Sequence, residues 1–224
     1  MKILADSKLL DSEQYFEILP QIRETEIWLS DNHVFERLGF KLGFLKIFAN
    51  SLQENAINDI LRKMTWIRLA TRAALSDMNK LTIVEIGCGA SACHSYDPRL
   101  QPIYYDKFQP WLCRAFAALG SSTVGIDKRP VNWEPYRHLK TDLMIEPFPR
   151  DIPSSSVDVV CGFRLSDDPV LTKIESNTWQ KLQRRIEADI KRILKPNGLF
   201  ITDDDDCVLE DERISASTLC QTTA

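Results

Sequence analysis

Leu81-Thr82-Ile83-Val84-Glu85-Ile86-Gly87-Cys88-Gly89 is the stretch from which the fold follows. Its apolar and β-branched run suits a strand buried on both faces, as in the middle of a parallel sheet. Two glycines one residue apart end the run. They let the backbone turn sharply and let a ligand approach where a Cβ would otherwise stand. In an open α/β sheet the ligand crevice lies beyond the carboxyl ends of the strands, and Glu85 sits near that end. The alternative is a tight strand-to-helix turn that binds nothing. A dinucleotide fingerprint is disfavoured, because Ala90, Ser91 and Ala92 follow where a third glycine belongs. The next acidic strand end, Asp127, comes 42 residues after Glu85, whereas that fingerprint expects about 20. A nicotinamide-dependent oxidoreductase is disfavoured with it.

Downstream, Ser122-Thr-Val-Gly-Ile126 reads as a second strand that ends at Asp127. Leu139 to Leu143 is a poor third strand by composition and contains Asp142. Val157-Asp-Val-Val-Cys-Gly-Phe163 and Leu199-Phe-Ile-Thr202 are the fourth and fifth. Between the first two strands runs a long open stretch, Cys93 to Lys107, with Tyr96, Tyr104 and Tyr105. It either shapes an acceptor pocket or packs on its own side chains. A helix begins at Pro110, with Trp111, Leu112, Ala115, Phe116 and Leu119 as its apolar stripe and Gly120 closing it. Trp179, Leu182, Ile186, Ile190 and Ile193 also have helical spacing, and Pro196-Asn197-Gly198 reads as a turn.

Upstream, residues 1–79 are helical in character with almost no strand signal. Asp11 with Gln14 resembles a helix start, and Pro20 is expected to interrupt that helix. Val34 to Phe48 is rich in large apolar residues, interspersed with Arg37, Lys41 and Lys46. That pattern fits a helix docked on the main domain, or one lying on a membrane surface. Ser51-Leu-Gln-Glu54 is a capping box opening a helix whose stripe is Ile57, Ile60, Leu61, Met64 and Ile67. Arg62, Lys63, Arg68 and Arg72 make its other side basic, as a solvated face or a surface for an anionic partner. The domain division expected is a helical extension or cap over 1–79 and an α/β domain over 80–224.

Bulk properties narrow the classes. Of 224 residues, 44% are hydrophobic, enough for a packed core, and the formal charge is −4. There is no overall basic footprint for nucleic acid, and Phe163-Arg164-Leu165-Ser166 after the fourth strand is no nucleic-acid motif. No apolar run approaches a membrane span and no signal-peptide core is seen, so a cytoplasmic location is expected. Six cysteines without a CxxC pair read as reduced thiols. Zinc at Cys88, Cys93 and His94 lacks a second ligand pair at finger spacing.

Several segments together resemble the Rossmann-like, class I S-adenosylmethionine-dependent methyltransferases. They are Val84-Glu-Ile-Gly-Cys-Gly89, Val124-Gly-Ile-Asp127, Asp142-Leu143, Phe148-Pro-Arg-Asp-Ile-Pro-Ser-Ser-Ser-Val-Asp-Val-Val160 and Ile193-Leu-Lys-Pro-Asn-Gly-Leu-Phe-Ile201. The resemblance implies a doubly wound, mostly parallel sheet and S-adenosylmethionine as cofactor. It implies that Gly87 and Gly89 pass under the methionine and ribose, and that Glu85 stands near the methionine end. Asp127 would accept from the ribose hydroxyls, Asp142 from the adenine amino group, and the Leu143 amide would face a ring nitrogen. With Cys88 and Lys128 beside them, the implied cofactor-binding set is Glu85, Gly87, Cys88, Gly89, Asp127, Lys128, Asp142 and Leu143. Asp127 as a turn cap and Asp142 as a plain loop carboxylate are the alternatives.

Methyl transfer from a sulfonium is a direct displacement, so alignment matters more than any one catalytic side chain. His94, Asp167, Asp168 and Asp203 lie where a base could act, and none is assigned. The acidic run Asp203 to Asp206 with Glu210, Asp211 and Glu212 is a solvated cluster or a hard-cation site. The family adds two strands after the fifth, whereas 22 residues follow Thr202. A shortened sheet is therefore expected, or an edge covered by the N-terminal helices, with Arg213 to Leu219 as one short strand. The methyl acceptor, a small molecule or a protein, is not identified by sequence, and oligomeric state is not legible. A methyltransferase-like binding or scaffold protein without activity is the second functional expectation.

Overall fold

A computed structural model describes residues 2–5, 12–40, 51–89, 109–129, 134–163 and 176–202. Their elements in order are β1 (Lys2–Ala5), α1 (Ser12–Asp31), α2 (Val34–Arg37), α3 (Ser51–Thr71), a 3-10 turn (Leu75–Lys80), β2 (Thr82–Ile86), α4 (Trp111–Ala118), β3 (Ser122–Asp127), β4 (Arg137–Lys140), β5 (Val157–Cys161), α5 (Ser176–Ile193) and β6 (Leu194–Thr202). The expectations for Lys41 to Phe48, the Cys93–Lys107 loop, Cys93, His94, Arg164, Asp167, Asp168, the acidic cluster from Asp203 and the strand at Arg213 to Leu219 lie outside the described residues.

The strands form one six-stranded sheet in the order β1-β6-β5-β2-β3-β4, and every neighbouring pair is parallel. From β2 the chain moves outward through β3 to β4. It then returns to the other side of β2 for β5 and β6. This is an α/β sheet compatible with a Rossmann-like doubly wound fold, and its switch point lies between β2 and β5. Beyond β6, the edge strand among the described residues is β1, in register Lys2 to Leu199 through Ala5 to Thr202. The N-terminal segment thus contributes a strand, where the sequence reads as helical with almost no strand signal. Lys-Ile-Leu-Ala is too short to carry a pattern, and pairing with β6 makes it a strand.

Two layers cover the sheet. On one face α1, α3 and α4 bury Ile18, Leu29, Ile60, Met64, Ile67, Leu112 and Phe116 against Ile83, Val159 and Ile201. On the other, Ile190 and Ile193 of α5, with Phe148 and Ile152, cover Val84, Ile86, Val124, Ile126, Val160 and Phe200. Alternation along β2 is therefore strict: Ile83 and Glu85 face α3 and α4, while Val84 and Ile86 face α5.

Three other expectations are corrected. Helix α1 runs through Pro20, because its buried Ile18, Ile22, Thr25 and Leu29 hold it against the core while Pro20 itself is exposed. Strand β4 lies at Arg137–Lys140, earlier than Leu139 to Leu143. Its hydrogen bonds to β3 define it, since only Leu139 of the four is an aliphatic side chain. Pro196-Asn197-Gly198 does not end a segment. It bulges within β6, whose register on β5 shifts between Val157 and Val159. The docked reading of the region from Val34 holds for its described part, where Val34, Phe35, Leu38 and Phe40 are buried.

Candidate ligand site at the carboxyl edge

The turn after β2 is built as the glycine pair requires. Gly87 has φ 63° and Gly89 φ 86°, values that L side chains adopt only with strain. The Gly87 amide donates to the Ile126 carbonyl at 2.8 Å. The Gly89 amide donates to Asp127 Oδ2 at 3.1 Å. Asp127 Oδ1 accepts from the Arg129 amide at 2.9 Å and from Arg129 Nε at 3.3 Å. Asp127 is 9% exposed. It is thus the cap that ties the glycine turn to the end of β3. Each carboxylate oxygen accepts up to two hydrogen bonds, so capacity for a further donor is left on Oδ2.

A cavity of about 130 Å³ opens beside this turn. A water-sized probe occupies roughly 10–15 Å³, so the space suits a flat ring system. Gly87, Ile126, Asp127, Lys128 and Arg129 form one side, and Thr141, Asp142, Leu143 and Met144 another. Helix α5 supplies an apolar wall of Trp179, Leu182, Ile186 and Ile190, with Phe200 behind and Gln183 and Glu187 interspersed. Burial raises the Glu187 carboxyl above its ordinary value, with Lys191 and Arg184 opposing. Asp142 Oδ1 accepts from the Met144 amide at 3.0 Å, closing a turn that presents the segment to the cavity. Among the described residues, neither the other Asp142 oxygen nor the Leu143 amide has a partner. The Arg185 guanidinium donates to the Leu143 carbonyl, and Arg192 donates to the Ile152 carbonyl at 2.8 Å. These bonds fix α5 over the sheet edge.

Five of the eight residues expected from the sequence, Gly87, Asp127, Lys128, Asp142 and Leu143, line this one cavity. Gly89 joins them through Asp127. Glu85 and Cys88 face the other side of the sheet. Glu85 belongs to a row across four strands, Cys161–Glu85–Gly125–His138, in direct register. Above the row stands α4, whose Cys113 thiol donates to Glu85 Oε2 at 3.0 Å. Burial raises the Glu85 carboxyl, against the opposing pull of Lys63 and the Cys113 hydrogen bond. Lys63, expected on a solvated face, instead pairs with Asp59 at 2.7 Å with its side chain 13% exposed, and lies 5.1 Å from the Phe163 ring centre.

Gly125 leaves the gap in that row into which two thiols fit. A Cβ there would stand 2.6 Å from Tyr136 Cε2, 2.8 Å from Cys88 Sγ and 3.2 Å from Cys113 Sγ. His138 Nε2 is 2.9 Å from the Arg129 carbonyl oxygen. A carbonyl only accepts, so Nε2 carries hydrogen and the neutral ring turns its Nδ1 acceptor to Cys88 Sγ, 3.9 Å away. The Cys88 thiol is lowered, first by the neighbouring Cys113 and then by His138, against burial. Burial pushes the Cys113 and Cys161 thiols and the Tyr136 hydroxyl up. Burial, the largest single influence, pulls the His138 imidazole down, but Cys88, the Arg129 carbonyl and the Asp127 charge together outweigh it and the net direction is up.

Sequence reasoning did not reach Trp179, Gln183 and Glu187 as cavity residues, or Tyr136 and His138 as partners of Cys88. For α5 a signal existed, since its apolar stripe is flanked by Gln183 and Glu187. For His138 none did. Among the described residues, no group of three or more His, Cys, Asp or Glu is placed to hold a metal ion, and no helix is long and apolar enough to cross a membrane. Comparison of the chain with protein-family models, with curated proteins and with solved structures finds no match.

Proposed function

We propose that the chain is an S-adenosylmethionine-dependent methyltransferase whose cofactor lies in the cavity at the carboxyl edge of the sheet. One observation carries this: Gly87, Asp127, Lys128, Asp142 and Leu143, scattered along the chain, line a single hollow with an apolar wall. The donor set fits an adenosine. Trp179, Leu182 and Ile186 give a flat base an apolar surface. The second Asp142 oxygen and the Leu143 amide, without partners among the described residues, would accept from an exocyclic amine and donate to a ring nitrogen beside it. Asp127 Oδ2 has capacity to accept from a ribose hydroxyl while it holds the Gly89 amide. When bound, the cofactor supplies an activated methyl on sulfur, and the protein's task is to align acceptor and sulfonium and to exclude water. No side chain is assigned as a base, and the acceptor class is a small molecule or a protein.

A second reading, a binding or scaffold protein without methyl transfer, draws on Glu85. Its carboxylate is engaged by Cys113 on the sheet face away from the apolar wall. Titration calorimetry with S-adenosylhomocysteine tests the pocket. Micromolar binding by the native chain is expected, with loss of at least roughly tenfold in Ile186→Trp, which fills the cavity. No binding by either protein refutes the pocket. Transfer of radiolabelled methyl into a cell extract then separates the readings, because an inactive binder labels nothing.

A further inference from the structure

The thiols of Cys88 and Cys113 sit on the sheet face opposite the apolar wall, in surroundings that the proposed methyl transfer does not use. The two sulfurs flank the space that Gly125 leaves empty, and each has a basic side chain within reach. Cys88 Sγ donates to the Gly89 carbonyl at 3.3 Å and has His138 Nδ1 within reach at 3.9 Å; in the neutral ring Nδ1 is the acceptor, because Nε2–H is given to the Arg129 carbonyl. Cys113 donates to Glu85 Oε2 at 3.0 Å. Cys161, also buried, has Glu85 as its sheet neighbour. Two neighbouring thiols, unequal in acidity and each beside a base, make a site that ordinary core cysteines lack.

We propose that Cys88 and Cys113 are an oxidant-sensing pair that closes to a disulfide under hydrogen peroxide, with Cys88 attacking first and Cys113 resolving. In the first step the Cys88 proton passes to His138 Nδ1, and the thiolate attacks one peroxide oxygen. The O–O bond breaks, and the departing hydroxide takes the proton from His138 to leave as water. Cys88 is then a sulfenic acid, oxidised by two electrons as the peroxide is reduced. In the second step Cys113 sulfur attacks Cys88 sulfur while its proton moves to Glu85. The S–O bond breaks and hydroxide leaves, collecting that proton as a second water. Two thiols and one peroxide thus give one disulfide and two waters. Cys88 is only 4% exposed, which selects a water-sized oxidant. Its neighbour Gly87 is exposed and lines the cavity, so solvent comes within one residue of the thiol.

The link does not depend on the methyltransferase reading, but its consequence does. Cross-linking fixes Cys88 to α4, while its flanking residues Gly87 and Gly89 line the cavity and bind Asp127. Oxidation should therefore weaken the cofactor site. The test is peptide mapping of the native full-length chain after peroxide treatment and alkylation of free thiols. A Cys88–Cys113 linked peptide that dithiothreitol reverses, formed while circular dichroism is unchanged, is the expected result. Both thiols alkylated, or Cys88 joined to another cysteine, overturns the proposal. In Cys113→Ser, dimedone is expected to trap sulfenic acid at Cys88, and in Cys88→Ser to leave Cys113 unlabelled. The reverse pattern refutes the assigned order. His138→Gln should slow Cys88 oxidation roughly tenfold or more by removing the base. Cys161 oxidation should not change in that variant, and equal slowing or equal labelling of Cys161 counts against a local site. S-adenosylhomocysteine affinity should fall at least roughly tenfold on oxidation and return with dithiothreitol. Unchanged affinity in the linked protein refutes the coupling, whereas a reduced protein that does not bind refutes the functional reading and not the link.

Discussion

Asp127→Asn is expected to damage the protein as much as Asp127→Ala, contrary to the usual ranking of such substitutions. The carboxylate meets a donor on each side: the Gly89 amide at Oδ2, and the Arg129 amide and Nε at Oδ1. Asparagine has one carbonyl oxygen and one NH2. Whichever way it turns, the NH2 points at a backbone N–H, so one of the two amides is left unpaired and repelled. Gly89 is buried, and stranding a buried donor costs about 1–3 kcal/mol. The Arg129 side chain is 46% exposed, so its ion pair adds at most about 1 kcal/mol. A loss of about 2 kcal/mol results from the two contributions. In a chain of this size that lowers Tm by roughly 4–8 °C. Thermal melts followed by circular dichroism measure it, with calorimetric titration of S-adenosylhomocysteine alongside. Both variants should also weaken that affinity by about 1–3 kcal/mol. An Asn variant that melts with the wild type refutes the carboxylate as the acceptor of the turn. A fall in stability with affinity intact leaves Asp127 a cap and removes it from the ligand site.

Three further outcomes are expected. Gly125→Ala should cost about 1–3 kcal/mol by overpacking, since its Cβ would meet Tyr136 and Cys88 closer than 3.0 Å; a denaturant midpoint unchanged from wild type would contradict the packing of the thiols there. Glu85 has a raised folded pKa, so the folded chain holds its proton more tightly than the unfolded one. The stability this gives is full below the ordinary value of 4.5 and is lost as pH rises through the folded value. Urea unfolding across that window should show the decline in wild type and not in Glu85→Gln, which should be the more stable of the two at neutral pH. Glu134→Gln should cost about 3–5 kcal/mol, because Arg114 and Glu134 are each 1% exposed and bonded at 2.6 and 2.8 Å; a melt within the error of wild type would show that the pair is hydrated.

How much of the fold was legible in the sequence depends on how local each cause is. Strand β2 was legible because Ile83, Val84 and Ile86 are buried on both faces, and Gly87 and Gly89 announce the turn after them. Helices α3, α4 and α5 were legible because their stripes repeat over two or more turns. Asp127 was legible as an acidic strand end and as a cap on the turn that follows it, whereas the Gly89 amide it also holds comes from a separate segment and leaves no mark in composition. Strand β4 was placed late because Arg137-His138-Leu139-Lys140 carries no period of its own and is a strand only by pairing with β3. The same displacement hid His138, whose meaning depends on standing opposite Gly125. Pro20 misled because a missing hydrogen bond is a local loss, while the buried contacts of Ile18, Ile22 and Leu29 that outweigh it are not local.

The turn after β2 connects the two faces of the sheet. Within Glu85 to Gly89 the chain serves both sides: Glu85 and Cys88 meet α4 and His138, while Gly87 lines the cavity and Gly89 holds Asp127. The Gly87 and Cys88 amides donate to the Ile126 carbonyl and the Gly89 amide to Asp127, so a displacement of Cys88 would pull on the end of β3 beside the cavity. The opposite end of the sheet is tied separately. Asp158 there accepts from the Thr82 amide at 2.9 Å and from Lys195 Nζ at 2.7 and 2.8 Å, joining β2, β5 and β6. With the amino end of β2 held by that triad, strain introduced at its carboxyl end would fall on the turn beside the cavity. The proposed coupling of thiol chemistry to occupancy of the cavity would run by that route, through one residue's length of backbone.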